Sequence, residues 1–357
     1  MKLNKTMGRV ATTLVATAML ASVAAPAYAA DYDSQTGIVF NKTIDMTKAS
    51  GATVPNATYK YTIAAGTYIS AQGNKPEIKA GLDGAKISDA VFTSSTAIAG
   101  NKATAPITVD LSEVNFQDPG IYRYVITEDD PTITGLATSE ADDTLYLDVY
   151  VVNDTSSGVT VQSYQLTDAA DAPTIDGTVA DYGDGKFVTD EDEYTTYTLT
   201  VTKAVDGDMA DKDRDYPFTI NLSSISNGTK VTVDGVQTAN GAANNALSIS
   251  KSLNPKNETT DHVVITGIPG DAAYSIAETL NASEGFTVKV GDTVLTNVDG
   301  KYTTNGAMSS GDANVTITNV KQSTTPTGIV MNVAPYALLV VVAAAGCFVF
   351  MRKRRED

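Results

Sequence analysis

Cysteine is nearly missing from this chain: one occurs in 357 residues, Cys347, so no intramolecular disulfide can form. Tryptophan is absent and histidine occurs once, at His262, which can supply at most one ligand or base and reads as a strand or surface residue. Neither a phosphate-binding glycine loop nor a Ser-His-Asp set is found, so no cofactor is expected. Positive charge is also scarce: 25 Lys and Arg stand against 42 Asp and Glu, a net charge of −17. A chain this acidic repels nucleic acid and anionic lipid, which removes both from the expected ligands. The Asp-rich stretch from Asp206 to Asp213 lacks the glycine and closing glutamate of an EF-hand register. It reads as a solvated hairpin loop, and no metal site is expected.

Long hydrophobic runs are confined to the two ends. Lys2, Lys5 and Arg9 precede an apolar stretch from Val10 to Ala25, and Ala27-Tyr28-Ala29 follows as a small-x-small cleavage site. That order is a secretory signal peptide over 1–29. At the other end Thr325-Pro326-Thr327-Gly328 precedes an uncharged run, Val333 to Met351, and then Arg352-Lys353-Arg354-Arg355. The run is just long enough to span a bilayer as a helix, with the basic cluster on the cytoplasmic side. Cutting after Ala29 and after Thr327 leaves 18 basic and 40 acidic residues, a net charge of −22 on an exported chain. Cys347 is lost with the tail, so an exported protein must resist unfolding and proteolysis without a disulfide, although its compartment would permit one.

Between the ends, short stretches rich in Val, Ile, Thr and Tyr alternate apolar with polar and are separated by Gly, Asn, Asp and Pro clusters. This is the pattern of an all-β sandwich protein. A weak internal repeat divides it in two. Each half opens on an alternating strand with a lysine, Ile38 to Ile44 and Leu199 to Val205. Each continues with an aromatic strand, Thr58 to Ile63 and Tyr216 to Ile220, and later carries a Tyr-containing strand ending in Glu128 or Glu278. The boundaries drawn are 30–195 for the first domain, 196–322 for the second and 323–357 for the tail.

In a strand, residues i, i+2 and i+4 share a face. Ile38, Phe40, Lys42, Ile44 and Met46 share one, and Leu199, Val201, Lys203 and Val205 another. Tyr122, Tyr124, Ile126 and Glu128 form a third, matched by Tyr274, Ile276, Glu278 and Leu280, and Val315, Ile317 and Asn319 line up likewise. Each apolar face therefore carries one group that is costly to bury. A buried lysine tends to lose its proton and a buried glutamate to gain one. A neutral amine is a nucleophile, and a neutral carboxylic acid can polarise a carbonyl and shuttle protons. Held against a carboxamide, the pair can form a Lys–Asn isopeptide bond with loss of ammonia, in one slow turnover per molecule. Any one of these residues alone fits a strand end or an ordinary buried ion pair. Their recurrence in the order Lys, Glu, Asn, with no disulfide available, points to a redox-proof cross-link between first and last strands.

On these residues the chain resembles a sortase-assembled major pilin, the shaft subunit of Gram-positive pili, built from streptococcal-pilin isopeptide-linkage domains. The tail resembles a cell-wall sorting signal, with TPTG in place of the commoner LPxTG. The resemblance implies two tandem immunoglobulin-like (Cna-B-type) β-sandwich domains. It implies cross-linking lysines at Lys42 and Lys203, catalytic proton-shuttle glutamates at Glu128 and Glu278, and a last-strand asparagine at Asn319. The first domain departs from the pattern: Asp190-Glu191-Asp192-Glu193-Tyr194 stands where the family has an asparagine. Asp192 takes that slot, with Asp190 as second candidate; a Lys–Asp bond would release water, and a plain salt bridge to Lys42 is the alternative. A class C pilin sortase would cut between Thr327 and Gly328, and a lysine of a neighbouring copy, here Lys186, would attack the thioester. Further implied partners are minor or tip pilins, peptidoglycan through a housekeeping sortase, and a host ligand. The implied product is a structural cell-surface pilus, not a turnover enzyme. The rival reading is a singly wall-anchored adhesin that binds a host ligand through its loops.

Overall fold

The computed structural model describes residues 30–31, 37–139, 144–154, 158–176, 179–181 and 191–323. The expected signal peptide, Lys186, Asp190, the TPTG motif and the apolar tail lie outside the described residues. Within them the chain is almost entirely strand; its helices are two single turns, Thr47–Ala49 and Ala282–Glu284.

The first half has seven long or site-bearing strands: β1 (Ile38–Asp45), β2 (Ala57–Ala65), β3 (Lys102–Asp110), β4 (Gly120–Asp129), β5 (Thr144–Asp154), β6 (Gly158–Thr167) and β7 (Glu191–Tyr194). One sheet runs β6-β5-β4-β2, and the facing sheet runs β7-β1-β3, each extended by shorter strands. The second half contains β8 (Thr196–Asp206), β9 (Tyr216–Ser223), β10 (Ala246–Leu253), β11 (His262–Pro269), β12 (Ala273–Thr279), β13 (Thr287–Val290), β14 (Lys301–Ala307) and β15 (Ala313–Val320). Here the sheets run β11-β8-β15-β13 and β10-β9-β12-β14. Neighbours among these fifteen strands are antiparallel with two exceptions. β7 lies parallel to β1, and β15 lies parallel to β8. In each half, then, the last strand returns beside the first in the same direction.

Alternation builds both cores. Ile38, Ile44, Tyr59, Tyr124, Leu147 and Val149 are buried in the first, and Leu199, Val201, Ile220, Ile265, Ile276 and Ile317 in the second. One residue, Thr195, connects the two halves along the chain. Its N–H donates to the carbonyl of Gly135 (2.8 Å), and its carbonyl accepts from Gly270 N–H (2.9 Å). A second contact joins the Asn56 side chain to the carbonyl of Asn227 at 2.7 Å. The linker's backbone polar groups are thus satisfied by protein on both sides.

Candidate functional site

Lys203 lies on β8 facing the core, and Asn319 on the parallel neighbour β15. The register sets Val205 opposite Asn319, so the lysine reaches along its own strand by two residues to meet the asparagine. Glu278 comes from β12 in the facing sheet. The Lys203 Nζ is 3.2 Å from Glu278 Oε1 and donates to the Ile317 carbonyl at 3.4 Å. Asn319 Nδ2 donates to Glu278 Oε1 at 2.6 Å. The face of Tyr216 on β9 covers the amine, with Nζ 4.6 Å from the ring centre.

The first half repeats this layout. Lys42 lies on β1 and Asp192 on parallel β7, with Ile44 opposite Asp192. The offset of two residues between lysine and partner is the same. Glu128 reaches over from β4, and Lys42 Nζ is 2.6 Å from its Oε1 and 3.5 Å from Asp192 Oδ1. Tyr59 covers this amine at 4.7 Å, as Tyr216 does the other. Lys42, Asp192, Lys203, Glu278 and Asn319 are each at most 2% exposed.

Burial controls the electrostatics of both clusters. It pulls the Lys203 ammonium down to about 8, against the opposing pull of Glu278. It raises the Glu278 carboxyl above the usual range, and pushes Glu128 up to about 7 despite the hydrogen bonds from Lys42 and Tyr61. Taking charge out of water favours the uncharged form of either group. An amine and an acid moved toward neutrality, side by side, are the pair that nucleophilic attack on a carboxyl or carboxamide carbon requires.

The acidic run before β8 separates by strand period. Asp192 and Tyr194 point inward, while Glu191 and Glu193 point out and pair with Lys102 and Lys48. The sequence left Asp192 and Asp190 both open; the structure brings Asp192 to Lys42. Three features were not anticipated. Tyr59 donates a hydrogen bond to Asp192 Oδ2, and Tyr61 donates to Glu128 Oε2 at 2.7 Å. On the outer face of the first half, Arg123 binds Asp148 through two contacts of 2.7 Å, both residues buried. Its sequence signal was an arginine on the same strand face as Ile121 and Val125, but nothing local showed that this face would be covered. The Asp206–Asp213 loop is also more than a solvated hairpin. Met209 N–H donates to the Lys321 carbonyl (3.1 Å), Lys321 N–H donates to the Asp206 carbonyl (2.9 Å), and Ser323 N–H donates to Asp208 at 2.7 Å. The loop holds the chain as it leaves β15. His262 opens β11, half-buried, with Nδ1 2.6 Å from Asp261.

A protein-family model described as Domain of unknown function (DUF7601) matches residues 197–321. A pilin of Streptococcus pyogenes serotype M1 is 27% identical over 328 residues, covering 89% of this chain and 90% of that protein. The expected likeness to Gram-positive major pilins is borne out. Among solved structures, the major pilin T3.2 from Streptococcus pyogenes serotype GAS13637 superposes with a TM-score of 0.56 at 18% identity, covering 83% of this chain and 100% of that one. Another Streptococcus pyogenes major pilin gives 0.50 at 21% identity over 80% of this chain and 99% of its own. At these identities the structural likeness is one of fold, and the fold shared with those pilins is the all-β arrangement described above.

Proposed function

We propose that this chain is a structural subunit of a covalently polymerised cell-surface pilus, each domain of which closes its own Lys–Asn or Lys–Asp isopeptide bond. One observation carries the chemistry: both halves set a lysine two residues out of register with a buried asparagine or aspartate on a parallel strand, under a glutamate from the facing sheet. In the second domain neutral Lys203 attacks the carboxamide carbon of Asn319, Glu278 carries an amine proton to the departing nitrogen, and ammonia leaves. In the first, Lys42 and Asp192 condense with loss of water under Glu128. Each reaction happens once, so the protein is not a turnover enzyme.

The similarity to pilins along most of the chain supports the polymer reading, with the TPTG motif as its joint. A class C sortase cuts between Thr327 and Gly328, and Lys186 of the neighbouring copy takes over the Thr327 carbonyl. The exported precursor is held in the membrane by its apolar tail until that cut. Cell-wall extracts run in SDS should give a ladder of high-mass species that collapses in Thr327→Ala. One monomer-sized band in the wild type would instead support the singly anchored adhesin.

A further inference from the structure

The two clusters differ at the atoms that decide whether aspartate or asparagine can serve, and the difference lies in where the tyrosine hydroxyl points. Besides Lys42 Nζ, 3.5 Å from Oδ1, two neutral groups donate to Asp192: Ser139 N–H binds Oδ1 at 3.1 Å, and the Tyr59 hydroxyl binds Oδ2. A carboxyl group can accept on both oxygens. A carboxamide cannot, because its nitrogen is a donor only. An asparagine there would set its N–H₂ against Ser139 N–H in one orientation; in the other Nδ2 would donate to the Tyr59 oxygen, and the hydroxyl would have to turn its own proton away from the reacting group. In the second domain the corresponding Tyr216 hydroxyl turns away and donates to the Asp211 carbonyl at 2.6 Å. Asn319 Nδ2 meets an acceptor, Glu278 Oε1, and among the described residues no donor reaches its buried Oδ1. Phe218 stands on β9 where Tyr61 stands on β2, each opposite the catalytic glutamate, so the second site also lacks the Tyr61 donor.

We propose that the Tyr59 hydroxyl and the Ser139 N–H make the first site specific for a carboxylic acid, with Tyr59 assisting departure of the oxygen it binds. This rests on the cross-link reading above. Neutral Lys42 Nζ bonds to Asp192 Cγ, and the displaced electron pair goes to Oδ1, which Ser139 N–H holds. Glu128 takes one proton from the nitrogen and delivers it to the Oδ2 hydroxyl. The pair returns from Oδ1, the Cγ–Oδ2 bond breaks, and Oδ2 leaves as water. Glu128 ends as it began, the amide keeps one N–H, and Tyr59 keeps its proton throughout. Burial raises the Tyr59 hydroxyl far above its ordinary range, so it remains a donor.

The test refolds full-length exported chain from unlinked inclusion bodies and follows intact mass, with peptide mapping to assign each loss. Wild type should lose about 18 Da between Lys42 and Asp192 and about 17 Da in the second domain, the masses of water and ammonia. Tyr59→Phe should slow the first loss about tenfold, the worth of one good hydrogen bond, and leave the second unchanged. Asp192→Asn should also be slow, and adding Tyr59→Phe to it should change that rate little, since a hydroxyl that accepts from Nδ2 no longer donates to the reacting group. Loss of the Tyr59→Phe effect in the asparagine background is the decisive readout, because a merely structural role would slow both. Difluorotyrosine at position 59 keeps ring and donor and should retain the wild-type rate, which covers the case in which the Phe variant folds poorly. Equal rates in wild type and Tyr59→Phe, an Asp192→Asn as fast as wild type, or an equal slowing by Tyr59→Phe in both backgrounds would overturn the selection by Tyr59. Full mass at the first site in wild type would sink the cross-link reading itself.

Discussion

At the residue scale, the buried pairs have a pH signature that separates them from a lysine acting alone. Lys203 is lowered to about 8 by burial and Glu278 is raised for the same reason. Between their titrations the pair holds one shared proton, and the reactive arrangement of neutral amine and neutral acid has that same proton count. Below the range a second proton makes the amine a cation; above about 8 the shared proton is lost and the acid cannot shuttle. The refolding rate of the 17 Da loss should therefore be bell-shaped in pH, falling above about 8, and Glu278→Ala should abolish it at every pH. A rate that keeps rising toward pH 10 would mean that lysine deprotonation alone limits the step.

Elements supply what residues cannot: the parallel return of the last strand beside the first. In the second domain that return is fastened by the Asp206–Asp213 loop. Gly207 has φ +99° and sits so close to the Lys321 carbonyl that a Cβ would collide with it. Both the left-handed backbone and the close approach demand glycine there. Gly207→Ala should cost about 1–3 kcal/mol, the usual range for strain at such a position. Chemical unfolding in a Lys203→Ala background, where no bond can form at this site, measures it. Faster amide exchange at Met209 and Lys321 should accompany the loss, and exchange unchanged at both would show that the loop does not hold the exit strand.

For the whole molecule, the two clusters lie on one continuous stretch of chain. β7 carries Asp192, Thr195 links it to β8, and β8 carries Lys203. In the proposed polymer, tension enters at Lys186 and leaves at Thr327, so its path runs from Asp192 to Lys203, across to Asn319 and out along the tail. The rest of the second sandwich, between Lys203 and Asn319, stays off that path once the bond exists. Single-molecule pulling between those two points should give no unfolding event from the second domain in wild type. Lys203→Ala should release roughly 400 Å, the extended reach of the freed residues. A release of that size in the wild type would show that the bond does not carry the load.

How much of this was legible in the chain depends on the range of the interaction. The period of two put Lys42, Lys203, Glu128, Glu278 and Asn319 on apolar faces, because side-chain direction in a strand is a local property. The repeat gave two sandwiches for the same reason. Which carboxylate meets Lys42 was not local: it needed the parallel register of β7 on β1, and Asp190 and Asp192 share one strand parity. The Arg123–Asp148 pair stayed invisible because its burial is imposed by a distant segment laid over the sheet. So did the donors that distinguish Asp192 from Asn319, since Tyr59 and Ser139 lie 133 and 53 residues from the aspartate they bind. Sequence by itself determined the faces, the costly groups on them and the order in which they recur. Tertiary structure alone decided the partners, because hydrogen-bond complementarity acts over a few ångströms in space and without regard to distance along the chain.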